Sequence, residues 1–336
     1  MSDFPDDIER AAAILSRGGL VAFATETVYG LGADATNASA VERIFLAKGR
    51  PKGNPLIVHV PDALAARRYA AQWPAAAAAL AKRFWPGPLT IVVAAAPNIV
   101  PAVTAGLATV GLRAPDHPVA QSLLRRFNGP VAAPSANRST RISPTTAEHV
   151  RQELVGRVDM ILDGGPCRVG IESTVISVAG ERPTILRPGQ IDRASIESVI
   201  GPVLENATVV KESEATTSPG QHAIHYAPIS QCIRFETDER ANVMARFLAG
   251  SETGSAMIAI SNDLIGMAAS TGVKAHAMAQ EANCYARDLY AALRAADESR
   301  PARIWIEMPP DVAQWRAVRD RLTRASRPIT ALTTEP

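Results

Sequence analysis

Residues 201–228 interrupt the hydrophobic patterning of a chain that is otherwise well patterned. The stretch is rich in Glu, Ser, Thr, Pro and Gly, and it shows no helical or strand period, so it reads as a linker. The chain has 336 residues, more than one hydrophobic core usually organises. The break therefore implies two domains, residues 1–200 and 229–336, joined by 201–228. Hydrophobic residues at 47% and charged residues at 20% are ordinary for a folded protein and argue against disorder. The net charge of +2 does not identify a nucleic-acid binder by itself, although a local basic face stays open.

Before the break, strands and helices mix without strict alternation. Acidic Asp6 and Asp7 open a helix that Gly18 and Gly19 stop. Strands are predicted at 20–25, 55–60, 89–95, 108–113, 130–134, 159–162, 174–178 and 183–187. Helices are predicted at 38–48, across 61–84, near 117–127, after Ser143-Pro144 and near 192–200. The expected fold is α/β, with a twisted mixed sheet covered by helices. After the break, strands at 232–236, 256–261, 273–278 and 302–308 and helices at 238–249, 280–296 and 312–325 follow a βαβ pattern. A smaller, open, Rossmann-like α/β domain is expected there, without the G-x-G-x-x-G turn of a dinucleotide site.

Cys167, Cys232 and Cys284 are scattered, odd in number and without a C-x-x-C pair, which fits free thiols in a reducing compartment. The N-terminus, MSDFPDDIER, lacks a signal-peptide pattern, and no apolar run approaches the ~20 residues that span a bilayer. A cytoplasmic location without membrane association is expected.

Six polar clusters punctuate the chain, most of them at the ends of predicted strands. Thr25-Glu26-Thr27-Val28-Tyr29-Gly30-Leu31 follows a buried strand; it suits a backbone approached by a small ligand, or simply a strand-to-loop turn. Residues 48–56, K-G-R-P-K-G-N-P-L, set three cations in five positions among glycines and prolines. That array can grip phosphates or stand as a solvated basic loop, but it is not a Walker loop. His59 sits within the apolar strand that follows, where a core role is as natural as a ligand role. W-P-G-P-L-T at 85–90 reads as an architectural turn. Arg113 ends the strand of T-V-G-L-R-A-P and can meet a carboxylate bidentately or form a salt bridge. A-A-P-S-A-N-R-S at 132–139, with Ser143-Pro144-Thr145, is dense in hydroxyls and amides that can bind a nucleotide or cap a helix. Asp163-Gly164-Gly165, E-S-T-V at 172–175 and L-R-P-G at 186–189 complete the set. Cations and hydroxyls dominate, without a Cys–His nucleophile or paired acids, which suits an anionic nucleotide ligand.

Taken together, T-E-T-V-Y-G-L (25–31), K-G-R-P-K-G-N-P-L (48–56), W-P-G-P-L-T (85–90), G-L-R-A-P (111–115), P-S-A-N-R-S (134–139), E-S-T-V (172–175), L-R-P-G (186–189) and H-Y-A-P (225–228) resemble the YrdC-like family, and within it the two-domain threonylcarbamoyl-AMP synthases. The resemblance implies a nucleotidyltransferase that joins L-threonine, bicarbonate and ATP into threonylcarbamoyl-AMP and pyrophosphate. The product would serve threonylcarbamoyladenosine formation in tRNA, through a downstream transferase machinery; direct tRNA contact is left open. It also implies that Thr27, His59, Arg113, Ala133 and Ser173 line the threonine pocket. Arg50, Asn54, Thr109, Ser135, Ser143, Arg187 and Tyr226 would hold ATP, with Lys48, Asn137 and Thr174 as additional candidates. No side chain is assigned as a covalent catalyst. Mg²⁺ is expected with ATP, without assigned ligands, and no tightly bound organic cofactor. Two departures from the family pattern stand out. Thr140 occupies a position that is often Gly, and the linker reads P-G-Q-H-A-I-H-Y at 219–226, without the usual Lys and Arg. Because long structureless loops are commonly lids, residues 201–228 are expected to close over the ATP site with Tyr226 on the nucleotide. The competing readings are a YrdC-like RNA-binding module without catalysis and a carbamoyl-adenylate-forming enzyme of the hydrogenase-maturation type.

Overall fold

The computed structural model describes residues 4–205 and 226–333, so most of the expected lid, residues 206–225, lies outside the described residues. The chain divides into two compact units. Residues 1–139 and 143–223 form the first, and residues 140–142 and 224–336 form the second.

The first unit opens with α1 (Phe4–Ser16), β1 (Val21–Phe23), β2 (Gly30–Asp34), α2 (Ala38–Lys48), β3 (Ile57–His59) and α3 (Ala63–Ala66). It continues with α4 (Ala75–Phe84), β4 (Leu89–Ala94), α5 (Pro101–Thr104), β5 (Thr109–Arg113), α6 (Pro118–Phe127) and β6 (Val131–Ala132). It ends with α7 (Ala147–Leu154), β7 (Met160–Leu162), β8 (Thr174–Ser177), β9 (Thr184–Arg187), α8 (Arg193–Ile200) and β10 (Leu204–Glu205). The strands form a ten-stranded sheet in the order β10-β9-β8-β4-β5-β3-β6-β2-β1-β7, with parallel and antiparallel pairs mixed as expected.

The sheet is covered on both faces. Val21 and Phe23 of β1 pack with Ile8, Ala11 and Leu15 of α1 and with Val119 and Leu123 of α6. Ala22, between them, joins the opposite core with Leu31, Val41, Val58 and Leu112. That is the period-2 alternation of a strand. Burying each large apolar side chain this way is worth about 1.5–3 kcal/mol, so the strand ends, not the faces, remain for ligands. β2 is the strand the sequence conceals, because G-L-G-A-D is poor strand composition. Its glycines have a packing reason: a Cβ on Gly32 would come within 2.8 Å of the Phe23 and Val131 side chains.

Local chemistry sets the entry and exit of the elements that carry the polar clusters. Asn37 caps α2 by accepting from the Ala40 amide, and Gly49 ends it in the left-handed region at φ 61°. The chain then leaves the helix directly into the basic loop at 50–54.

The second unit contains β11 (Gln231–Phe235), α9 (Arg240–Leu248), β12 (Ala256–Ala259), α10 (Asn262–Ser270), β13 (Lys274–Ala277), α11 (Ala282–Asp297), β14 (Arg303–Glu307), α12 (Arg316–Ala325) and β15 (Arg327–Pro328). Its sheet runs β13-β12-β14-β11-β15, and its pairings are all parallel among the described residues. The open parallel sheet matches expectation. The strand order departs from 3-2-1-4-5 because β14 intervenes between β12 and β11. Trp305 is the centre of this core, with its ring 6.3 Å from Phe235 and 5.8 Å from Phe247. α10 was not expected from sequence, since its N-D-L-I-G-M-A-A-S carries an interior glycine. Among the described residues no helix is long and apolar enough to cross a membrane.

Candidate active site

The sheet register brings together residues that are far apart in sequence. β3 pairs with β5 so that His59 lies opposite Arg113. Arg113 Nη2 donates to Thr27 Oγ1 at 2.9 Å and stands 2.7 Å from Glu26 Oε1. All four side chains are buried: Glu26 and Thr27 at 0% exposure, His59 at 3% and Arg113 at 4%. Burial, reinforced by the Arg113 charge, depresses His59 to about 3, against the smaller opposing effect of the nearby Ile57 and Val131 backbone. The imidazole is therefore neutral at physiological pH. Its edge meets the Phe23 ring at 6.1 Å. Ala133, also buried, donates its amide to the Ile57 carbonyl beside this group.

Ser173 joins from the other side of β5. The register sets Leu89 of β4 opposite Thr174 of β8. Ser173 Oγ is 2.8 Å from Thr90 Oγ1 and accepts from Arg187 Nη2 at 3.2 Å. Arg187 also donates to the Ser173 carbonyl through Nε and Nη2. Thr174 turns away, since its hydroxyl donates to the Ile191 carbonyl at 2.7 Å. Gly189 allows this turn, because a Cβ there would come within 2.3 Å of the Thr174 backbone nitrogen.

The basic loop and the S-A-N loop are tied through Lys48. Its buried ammonium donates to the Ser135 carbonyl at 2.6 Å and to the Asn137 carbonyl. Burial and the neighbouring Arg50 push the Lys48 ammonium well down, with Glu153 opposing. The Ser139 amide returns a bond to the Lys48 carbonyl at 2.8 Å. Lys48 thus braces the loop that presents Ser135 and Asn137. Arg50 Nη2 donates to the Pro55 carbonyl at 3.1 Å, and the Asn54 amide closes a turn onto Pro51, so this cation array is held by its own backbone. Ser143 Oγ donates to Glu172 Oε1 at 2.6 Å, and both are buried. Thr109 opens onto a shallow groove walled by Pro55, Leu56, Thr90, Gly111 and Val175.

Tyr226 is the remaining residue of the expected ATP set. It belongs to the second unit, is 1% exposed, stacks on Tyr290 at 5.8 Å and lies under the Arg321 guanidinium at 5.3 Å. Three contributors escaped the sequence reading. Glu26 had no visible partner, because Arg113 lies far along the chain. Thr90 was absorbed into an architectural turn, and the bond from Ser143 to Glu172 spans two clusters. A carboxyl inside T-E-T, directly after a buried strand, was the one available signal.

The mixed sheet gathers cations, hydroxyls and amides at its strand ends, an arrangement suited to binding anions, and burial pushes up the thiol of the neighbouring Cys167. This is the site of a nucleotidyltransferase-type enzyme. A family model described as "Telomere recombination" matches residues 13–189, and one described as "Threonylcarbamoyl-AMP synthase, C-terminal domain" matches residues 191–327. The threonylcarbamoyl-AMP synthase of Bacillus subtilis is 42% identical over 95% of this chain and 92% of its own. That of Pyrococcus abyssi is 38% identical over 95% and 94%. The crystal structure of P. abyssi Sua5 complexed with L-threonine superposes with a TM-score of 0.86 at 38% identity, covering 95% of this chain and 94% of that one. The chain belongs to the threonylcarbamoyl-AMP synthase family.

Proposed function

We propose that the chain condenses L-threonine, bicarbonate and ATP into L-threonylcarbamoyl-AMP and pyrophosphate, in the cytoplasm, as the donor for threonylcarbamoyladenosine formation in tRNA. The observation that carries this reading is the buried group around Arg113, adjoining strand ends that present Thr109, Ser135, Ser143 and Arg187 in the same unit. In it, Arg113 takes the threonine carboxylate, Thr27, His59 and Ser173 meet its other polar groups, and Ala133 closes the pocket. Arg50, Asn54, Thr109, Ser135, Ser143 and Arg187 hold ATP, with Lys48 and Asn137 fixing the loop. By the same resemblance Tyr226 joins the ATP set.

Threonine carbamate is itself an anionic nucleophile. Its oxygen attacks the α-phosphorus and pyrophosphate leaves, so the protein needs to position two anions and offset their charge. Mg²⁺ would arrive with ATP and help offset the phosphate charge. Among the described residues no group of three or more His, Cys, Asp or Glu is placed to build a protein cage for it, and Mg²⁺ is commonly held through substrate phosphates. A downstream transferase consumes the mixed anhydride. The readings as a non-catalytic RNA-binding module or a hydrogenase-maturation enzyme are not favoured, since the synthase relatives span both units.

Pyrophosphate release from ATP, with and without L-threonine and bicarbonate, tests the proposal. Release is expected only with both present; release indifferent to threonine refutes it.

A further inference from the structure

Three buried polar atoms at one locus lack hydrogen-bond partners: Glu26 Oε2, Arg113 Nε and His59 Nδ1. Glu26 Oε1 has only its ion pair with Arg113, at 2.7 Å and outside hydrogen-bond geometry. Leaving a buried polar group unsatisfied is costly, and a buried ion pair seldom repays its own desolvation. A cluster of such atoms therefore marks capacity for a ligand. The chemistry of the three is complementary to a specific class. Glu26 Oε2 accepts from a cationic N–H, Arg113 donates to a carboxylate, and neutral His59 can serve a hydroxyl through Nδ1. An α-amino acid with a side-chain hydroxyl presents all three groups.

Resting on the threonine reading above, we infer that Glu26 is the receptor for the α-ammonium of threonine and the base that takes its proton before carbamate forms. Threonine arrives as a zwitterion whose ammonium cannot attack carbon. When its carboxylate pairs with Arg113, the guanidinium is shared between two carboxylates, and Glu26 is left facing the ammonium. One ammonium N–H bond breaks, its electron pair stays on nitrogen, and the proton passes to Glu26. The amine then forms the N–C bond to bicarbonate, while the C–OH bond breaks and leaves as water with a second amine proton. The sum is ammonium plus bicarbonate giving carbamate, water and one proton, which Glu26 carries until product leaves. The titratable groups facing Glu26 are Arg113 on β5, His117 before α6 and Cys167, with His59 on β3 across from Arg113. Burial holds both histidines below their ordinary range, though the Glu26 charge opposes it at His117, and burial raises the Cys167 thiol, so none of them competes for the proton near neutrality.

The test compares binding of L-threonine and of 3-hydroxybutyrate, which lacks only the amine, to the full chain by calorimetry. Wild type is expected to prefer threonine by about 10- to 150-fold, the worth of a charged hydrogen bond. Glu26→Gln should erase most of that preference while leaving 3-hydroxybutyrate binding little changed, and Glu26→Asp should restore part of it. In Glu26→Gln, threonine-dependent pyrophosphate release should climb with pH as the amine deprotonates in solution, more steeply than in wild type. A purely structural Glu26 would lower activity without moving that profile. A folded Glu26→Gln protein with unchanged preference and profile overturns the inference. So does wild type that binds 3-hydroxybutyrate as tightly as threonine, whether or not the variant folds. Absence of threonine- and bicarbonate-dependent release from wild type defeats the proposed function itself, which is a separate outcome.

Discussion

The two units treat buried charge at their strand ends in opposite ways. In the second unit, β12 and β14 are neighbours, yet the chain leaves β12 toward β13 at one edge and β14 toward β15 at the other. That divergence is where open α/β sheets form ligand crevices. Here Glu307 fills the place. Its carboxylate accepts from the Ile260 amide at 2.7 Å, the Ser261 amide at 2.9 Å, the Ser261 hydroxyl and Arg240 Nη2 at 2.8 Å. Glu252, equally buried, takes Arg246, Arg303 and the Trp305 indole; burial pushes it up, but these donors outweigh burial and hold it below the usual carboxylate range. In the first unit, Glu26 has one arginine and spare oxygens. A carboxylate saturated by its own fold is structural; one left short of partners beside an arginine is available to a substrate.

The comparison breaks first at Arg113. Arg113→Ala should strand Glu26 as an uncompensated buried charge, destabilising the protein by about 3–5 kcal/mol. It should also lower kcat/KM for threonine by roughly 10²-fold or more through the lost carboxylate contact. Urea midpoints and pyrophosphate-release kinetics measure the two. A variant that keeps both near wild type would remove Arg113 from the site. Glu307→Ala is the matching change in the second unit. It orphans two amides and leaves Arg240 with only Asp263, so a loss of about 2–4 kcal/mol is expected. The KM for threonine should stay constant in the protein that remains folded. A raised KM would show that the second crevice is not merely structural.

A smaller effect separates the units by pH. His59 is depressed to about 3 from 6.5, so between those values the unfolded chain binds a proton that the folded one refuses. Stability from this group therefore falls as pH drops through that window, with a steepest slope of about 1.4 kcal/mol per unit. His59→Gln should flatten the loss between pH 6.5 and 4.5 in denaturant titrations of the first unit's transition, and an unaltered slope would contradict its burial as a neutral ring.

Much of this organisation was legible in the chain. Strong periodicity placed β3, β4, β5 and α11 within a residue or two, because those segments agree in pattern and propensity. The polar clusters were also visible, since each follows an apolar run. What the sequence hid was long-range. β2 is glycine-rich because Phe23 and Val131 crowd it, a demand that local composition cannot reveal. Ser173 and Thr174 are adjacent hydroxyls, and only the fold turns one toward Thr90 and the other toward Ile191. Tyr226 stacks on Tyr290 and lies under Arg321, contacts no local pattern encodes. Glu26 and Arg113 meet only through the fold.

The smallest predicted effect concerns a short segment that the chain lends to the second unit. After Ser139 it contributes residues 140–142 to the second unit and re-enters the first at Ser143. Thr140 sits there at φ 67°, in the left-handed region that costs a β-branched residue about 1–2 kcal/mol and costs glycine little. Its carbonyl accepts from the Ala227 amide at 3.0 Å, while Arg294 donates to the Ile142 carbonyl at 2.5 Å and Arg141 lies 3.8 Å from Asp297. Backbone bonds on this segment hold the strained conformation in place. Glycine, the residue the family often carries here, keeps those backbone bonds and relieves the strain, at the cost of a more flexible unfolded chain. Thr140→Gly should therefore stabilise the protein by a net of about 0.5–1 kcal/mol. The matched control, Thr140→Val, keeps the β-branch and should gain nothing. If both substitutions destabilise equally, the threonine hydroxyl matters more than the backbone angle, and strain is not what distinguishes this position.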